Sequence, residues 1–452
     1  MDKEISLDLN LALEKHRKGK LAEAEIAYEK IIEKNPTNSN ALHLLGLVNY
    51  QLGKYEESAK LIEEAIESRP SALYYGNLGM VYDMLSKEEE SIKNFKKALE
   101  IDPKLPGSYR IYYNLGIYLT KQREFNKAIE CYDKSLEMNK DFFDVRWNRG
   151  QVLLLLGKFK EGWDDYEYRF KKQKPVDSRT FSKPVWDGSY LNGKRILILS
   201  EQGYGDNIQF VRYLPLVKEK GGYVILECKE ELKKLFENLS GVDELINKRD
   251  LPPDIEFDFY IHLMSLPKIF NTNLSNLPNK IPYLKADPKI VNYFKTKMCS
   301  KNFKIGIVWA GNPNQENNLS RSATFQKFML LKKVSGIDLF SLQKDEASEQ
   351  LNNSQVIDLL KDTKNFSDTA GVIENLDLVI SVDTSVAHLA GAMGKPVWVL
   401  LSYNSNWRWL LNRDDCPWYP TMKLFRQKTE GDWGPVFEQV VNELKKMNSK
   451  FI

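Results

Sequence analysis

This 452-residue chain has little of several things, and each shortage closes off a class of function. Cysteine is scarce: Cys131, Cys228, Cys299 and Cys416 stand far apart without Cys-x-x-Cys spacing, which argues against a disulfide framework or a zinc site. Histidine is equally rare, with four residues, and His16 and His43 have no second ligand at metal-binding spacing. No apolar run approaches the roughly 20 residues needed to cross a bilayer. The opening Met1-Asp2-Lys3-Glu4 lacks the basic start and apolar core of a secretory leader, so a cytoplasmic location is expected. Charge of one sign is lacking too: 65 Lys and Arg face 62 Asp and Glu, which gives no electrostatic reason to expect nucleic acid or a membrane surface. Asp-x-Asp is absent, which disfavours a metal-bound diphosphate.

What is present begins with a repeat. Ala12, Gly46, Gly79, Gly116 and Gly150 recur at intervals of 34, 33, 37 and 34, and Tyr28, Ile62, Phe95, Tyr132 and Tyr166 follow the same intervals. Small residues where helices touch, a large one to fill the gap, and Pro36, Pro70 and Pro103 as punctuation form the tetratricopeptide pattern. About five helix pairs are expected over residues 4–170, with a short insertion around Pro106-Gly107-Ser108, inside a solenoid domain spanning 1–172. The concave face of such a solenoid usually holds an extended peptide or protein. The plainer alternative is that it packs on and stabilises the rest of the chain, and self-association of the chain is also open.

After a Pro-, Ser- and Gly-rich segment at 173–192, the pattern changes to alternating strands and helices. Strands are expected at 195–200, 223–228 and 257–262, then at 304–309, 337–342, 355–359, 376–382 and 397–401. The fold class is therefore α plus α/β: a helical solenoid followed by two Rossmann-like doubly wound domains, at 173–285 and 286–452. Ligands in such sheets bind at the carboxyl ends of the strands.

Four loops at those ends carry the candidate residues. Gly203-Tyr204-Gly205-Asp206 would bring backbone close to a ligand, and Asp206 is either a general base or the N-cap of a helix starting at Asn207. The loop 309–322 contains Gly311, Asn312 and Arg321, the last either a diphosphate clamp or a solvated side chain. Lys344, after a later strand, is a second phosphate cation or a solvated lysine. Asp383-Thr384-Ser385, with His388 one turn on, opens a helix whose free N–H groups and dipole suit a phosphate; the bland role for Asp383 is to cap that helix.

Asp383-Thr384-x-x-x-His388-Leu389-Ala390-x-Ala392-x-Gly394-x-Pro396, with Gly205-Asp206 upstream, resembles the motifs of the heptosyltransferase family of GT-B glycosyltransferases. Over nearly its whole length the chain is similar to bacterial tetratricopeptide proteins that carry such a unit. The hallmarks are Trp186-Asp187-Gly188, Glu201-Gln202-Gly203-x-Gly205-Asp206, Trp309-Ala310-Gly311-Asn312-Pro313, Ser341-Leu342-Gln343-Lys344, Trp407-Arg408-Trp409-Leu410 and Trp418-Tyr419-Pro420. The layout is also similar to O-GlcNAc transferases and flagellin-modifying transferases. The resemblance implies an inverting, metal-independent transferase that uses a nucleotide-sugar as co-substrate and needs no further cofactor. It implies that Asp206 is the base, that Thr384 and Ser385 meet the diphosphate, that Asp383 and His388 lie near the sugar or phosphate, and that Arg321 stabilises the leaving nucleotide; Gly203, Gly205, Gly311, Asn312 and Lys344 complete the expected donor-binding set. Ser385 departs from the family, where glycine is common. The acceptor of the heptosyltransferases, a lipopolysaccharide core, is not implied, because those enzymes lack the repeats. A protein Ser or Thr hydroxyl is the expected acceptor. The alternatives are a surface glycan or lipid, and a non-catalytic scaffold that senses nucleotide-sugars.

Overall fold

A computed structural model describes residues 2–250, 255–315, 318–351 and 354–448. Its backbone divides into two compact units, Met1–Arg149 and Gly150–Ile452.

Ten helices fill the repeat region: α1 (Asp2–Arg17), α2 (Leu21–Lys34), α3 (Ser39–Gln51), α4 (Tyr55–Ser68), α5 (Ala72–Met84), α6 (Glu88–Ile101), α7 (Ser108–Lys121), α8 (Phe125–Met138), α9 (Phe143–Leu155) and α10 (Phe159–Tyr166). The two periodic series explain the pairing. A Cβ on Gly79 would overlap the Phe95 ring, and one on Gly116 would overlap Tyr132, so only glycine lets each pair approach so closely. Within each pair the chain turns through a left-handed residue. That residue is glycine at Gly19, Gly53 and Gly157, but Ser86 and Arg123 hold the same position with φ of 56° and 60°.

The unit from Gly150 onwards contains two wholly parallel sheets. The first is β1 (Arg195–Leu199), β2 (Tyr223–Cys228), β3 (Glu244–Asn247) and β4 (Phe259–His262), in the order β3-β2-β1-β4. The second is β5 (Phe303–Val308), β6 (Ile337–Ser341), β7 (Ile357–Asp358), β8 (Leu378–Val382), β9 (Val397–Leu401) and β10 (Met422–Arg426), in the order β10-β9-β8-β5-β6-β7. Strands β8 and β9 are buried throughout, as their unbroken apolar runs require. Two strands were not anticipated. Glu244–Asn247 has only Leu245 and Ile246 between a charged and an amide residue, and Met422–Arg426 carries Lys423 and Arg426, so neither reads as a buried run. The strand expected at 355–359 shortens to two residues at an edge.

The order of each sheet matters for function. From β1 the chain steps outward to β2 and β3, then returns to β4 on the opposite side, so it reverses direction at β1. The second sheet does the same between β5 and β8. Such reversals open a crevice at the strand carboxyl ends, where ligands of open α/β sheets sit. The loops after β1, β5 and β8 are three of the four that carry the candidate residues. Lys344 follows β6, one strand away.

The compact units divide ahead of the boundary expected at 172, and the packing shows why. The indole N–H of Trp163 donates to the carbonyl of Thr272 at 2.9 Å, and buried Arg169 forks onto Glu201 with both bonds at 2.8 Å. The last repeat helix is thus built into the sheet unit. The segment 173–192, expected as a linker or edge, adds a parallel bridge from Val185 to Tyr260 and buries Trp186. No described helix is long and apolar enough to cross a membrane.

Candidate functional site

The helix Tyr204–Phe210 begins directly after β1, three residues earlier than expected, so Asp206 is not its N-cap. Gly203 takes that position, and Asp206 sits in the first turn with Oδ2 accepting the Gly203 N–H at 2.7 Å. The carboxylate therefore satisfies its own helix N-terminus from within. Its other oxygen, Oδ1, accepts a charge-assisted bond from Nη2 of Arg408. Asp206 is half-buried.

Across from it, the Ser385–Ala392 helix follows β8. Thr384 is its N-cap residue, with extended backbone, and its hydroxyl pairs with Ser381 Oγ at 2.9 Å instead of capping. Asp383 does not cap either. Its Oδ2 accepts the indole N–H of Trp409 at 2.9 Å. Burial raises the Asp383 carboxyl above its ordinary value, opposed by the Trp409 bond and by the charges of Arg321 and Arg408. Among the backbone amides of this first turn, those of Ala387 and His388 reach back to the Thr384 carbonyl, while the earlier N–H groups have no acceptor within the helix.

His388 is buried, stacked on Trp409 with centroids 5.2 Å apart, and its Nδ1 lies 3.0 Å from the Tyr419 hydroxyl. Burial, reinforced by the charges of Arg408 and Arg212, holds its pKa well below 6.5, so the ring is neutral at neutral pH. Gly205 packs on this ring. A Cβ there would lie 2.9 Å from His388 Cδ2 and 3.5 Å from Ser385 Cα. The second glycine of Gly-x-Gly thus brings the first turns of the two helices into contact.

Arg321 ends the short helix Asn318–Arg321 and is half-buried, not solvated. A Cβ on Gly311 would collide with its guanidinium. Its Nε is buried with no hydrogen-bond partner. Burial pushes its pKa below the ordinary arginine value, while the carboxylates of Asp383 and Asp206 pull the other way. It remains a cation at any working pH.

Gly203, Gly205, Asp206, Gly311, Arg321, Asp383, Thr384, Ser385 and His388 therefore share one neighbourhood. Asn312 and Lys344 are less committed to it. Exposed Asn312 accepts the Asn314 N–H in a local turn, and Lys344 Nζ donates to the Thr363 carbonyl at 3.3 Å. Among the described residues no group of three or more His, Cys, Asp or Glu is placed to hold a metal.

Sequence reasoning assigned no role to Arg408, Trp409, Tyr419 or Gln343. Gln343 shapes the loop after β5: its side-chain oxygen accepts the N–H groups of Trp309 and Ala310, and its amide donates to the carbonyls of Ala310 and Lys344. All four fall inside the motifs quoted for the resemblance. The signal was there as identity, but without a partner to give it a role.

Comparison with known proteins adds the family. Residues 39–104, 70–141 and 113–177 match tetratricopeptide-repeat families, and residues 323–436 match glycosyltransferase family 9 (heptosyltransferase). The chain joins tetratricopeptide repeats to a family 9 glycosyltransferase domain. That match begins just after the Arg321 loop and takes in Lys344, the Asp383–His388 turn, Trp409 and Tyr419, while Asp206, Gly311 and Arg321 lie ahead of it. A relative, Protein FlbA of Caulobacter vibrioides, is 25% identical over 433 residues, which cover 87% of this chain and 71% of FlbA. Similar solved structures include Pseudomonas aeruginosa PilF, at 20% identity and TM-score 0.34, over 37% of this chain and 75% of that one. Another is YrrB, described as a tetratricopeptide protein with an unusual peptide-binding site. It is 17% identical at TM-score 0.32, over 37% of this chain and 84% of its own.

Proposed function

We propose that the chain is an inverting, metal-independent glycosyltransferase that moves a sugar from a nucleotide-sugar to a Ser or Thr hydroxyl of a protein held by the repeats. The observation that carries this reading is the gathering of Asp206, Arg321, Asp383 and the Thr384 helix N-terminus at the reversal points of two parallel sheets. Asp206 takes the proton of the acceptor hydroxyl. The acceptor oxygen then bonds to the anomeric carbon while the bond from that carbon to the diphosphate oxygen breaks, and the nucleoside diphosphate leaves. Arg321 and the free N–H groups beyond Thr384 meet the charge that develops on the diphosphate, with Lys344 adding a more distant cation. Neutral His388 and Gly205 form the floor between the two helices. The repeats supply a protein-sized acceptor surface of the kind tetratricopeptide arrays provide.

The test is a thermal-shift screen with UDP-, GDP-, ADP- and CMP-sugars, followed by release of nucleotide from whichever donor stabilises the protein, with water taking the sugar where no acceptor protein is added. One nucleotide class is expected to stabilise. Asp206→Asn should keep that shift while nucleotide release falls by about 10²- to 10⁴-fold. Full activity in Asp206→Asn would remove Asp206 from the role of base. Stabilisation without any release of nucleotide would favour the scaffold that senses nucleotide-sugars, and stabilisation by no nucleotide would overturn both readings.

A further inference from the structure

The short 3₁₀ turn Trp407–Trp409 grips both sides of the crevice at once. Arg408 reaches one side: Nη2 to Asp206 Oδ1 and Nε to Gln209 Oε1 at 2.9 Å. Trp409 reaches the other, bonding Asp383 and stacking on His388. The turn is firmly held. Asn406 accepts both the backbone N–H of Arg408, at 3.2 Å, and its Nη1, at 2.8 Å. The Arg408 guanidinium also lies 4.3 Å over the Trp407 ring, and that ring packs on Trp163, Tyr166, Phe210 and Trp418. Buried Leu410 closes the turn at φ 51° and ψ −165°, a conformation that strains any residue bearing a Cβ. Strain of this kind persists only where the surroundings over-determine it.

We infer that Arg408 is the positioning residue for Asp206, an assignment that rests on the reading of Asp206 as the base. Without Arg408, the Asp206 carboxylate is tied only to the Gly203 N–H of its own helix and is free to pivot. Arg408 fixes it from a rigid turn on the opposite sheet. Two of the carboxylate's four lone-pair sites are then occupied and the others are left for the acceptor proton. Because the same turn holds Asp383, the base and the donor-side loop are set in one frame.

A double-mutant cycle on the full chain tests this, with Arg408→Gln, Asp206→Asn and the double variant, and with Arg408→Lys as a second variant should Arg408→Gln fold poorly. Arg408→Gln is expected to lower nucleotide release from the stabilising donor by at least about tenfold, with KM for that donor little changed. Arg408→Lys keeps the charge but not the fork and should recover only part of the loss. The double variant should be no slower than Asp206→Asn alone. Additive losses, or a loss confined to KM, would overturn the assignment. Hydrogen exchange over residues 203–210 reads the same cycle without turnover. Exchange should be faster in Arg408→Gln and no faster still in the double variant, and unchanged exchange would overturn the assignment. If the wild type releases nucleotide from no donor, the transferase reading fails, and the exchange result alone decides whether Arg408 positions Asp206.

Discussion

A buried guanidinium nitrogen without an acceptor costs free energy in the free protein, and Arg321 has one in Nε. Its charge is offset only at a distance by Asp383 and Asp206, and burial still lowers its pKa. A diphosphate would supply the missing acceptors. A residue kept for ligand binding at a cost to the free fold has a diagnostic signature, in which removal helps stability and harms function. Arg321→Met should therefore leave the free protein as stable as the wild type, or more stable by about 1 kcal/mol. It should also abolish the thermal shift given by the nucleotide. If Arg321→Met destabilised the free protein and kept the shift, Arg321 would be a structural residue.

At the scale of elements, the repeat helices were legible because their rule is local: a small residue, a large one and a turn return at fixed spacing. Conformation at the turns was less legible. Nothing in the letters of Ser86 announces a left-handed residue, yet it stands where Gly19, Gly53 and Gly157 stand in other repeats and shares their positive φ. Exposed Ser86 carries a Cβ penalty that glycine lacks, partly offset by the greater freedom of glycine in the unfolded chain. Ser86→Gly should stabilise the first compact unit by up to about 1 kcal/mol in denaturant or thermal unfolding. Gly53→Ser should destabilise it by a similar amount. In the sheets, β1, β5, β8 and β9 could be read from their apolar runs. β3 and β10 could not, because charged residues on partly exposed strands hide the pattern. The site followed the same division. Asp206 and Asp383 were visible from their place after buried strands, but Arg408 pairs with a residue 202 positions away, and no local pattern encodes that pairing.

At the scale of the molecule, the last repeat helix serves the sheet unit. Arg169 is fully buried and forks onto Glu201, which also accepts the Met264 N–H, while the Arg169 Nη2 donates to Ser265 Oγ at 2.7 Å. Burial opposes the Arg169 charge, but Glu201 and Glu167 more than offset it and raise its pKa. Next to Glu201, Gln202 donates to the Tyr166 hydroxyl at 3.0 Å, and Gly203 and Asp206 follow within four residues. The loop that carries the proposed base is therefore braced by side chains from the end of the repeats. A fragment cut where the composition changes, 173–452, would strip Glu201 of its Arg169 partner and Gln202 of the Tyr166 hydroxyl. It would also strip Trp163 and Tyr166 from the Trp407 ring that carries the Arg408 turn. We expect 173–452 to show no cooperative unfolding transition by circular dichroism, while 141–452, which retains α9 and α10 whole, melts as a single unit. Equal cooperativity in the two fragments would mean that the repeat end is dispensable to the sheets. If they differ as expected, Arg169→Met in the full chain should weaken the sheet unit, and replacing Glu201 with Met as well should restore part of that loss by removing the stranded charge.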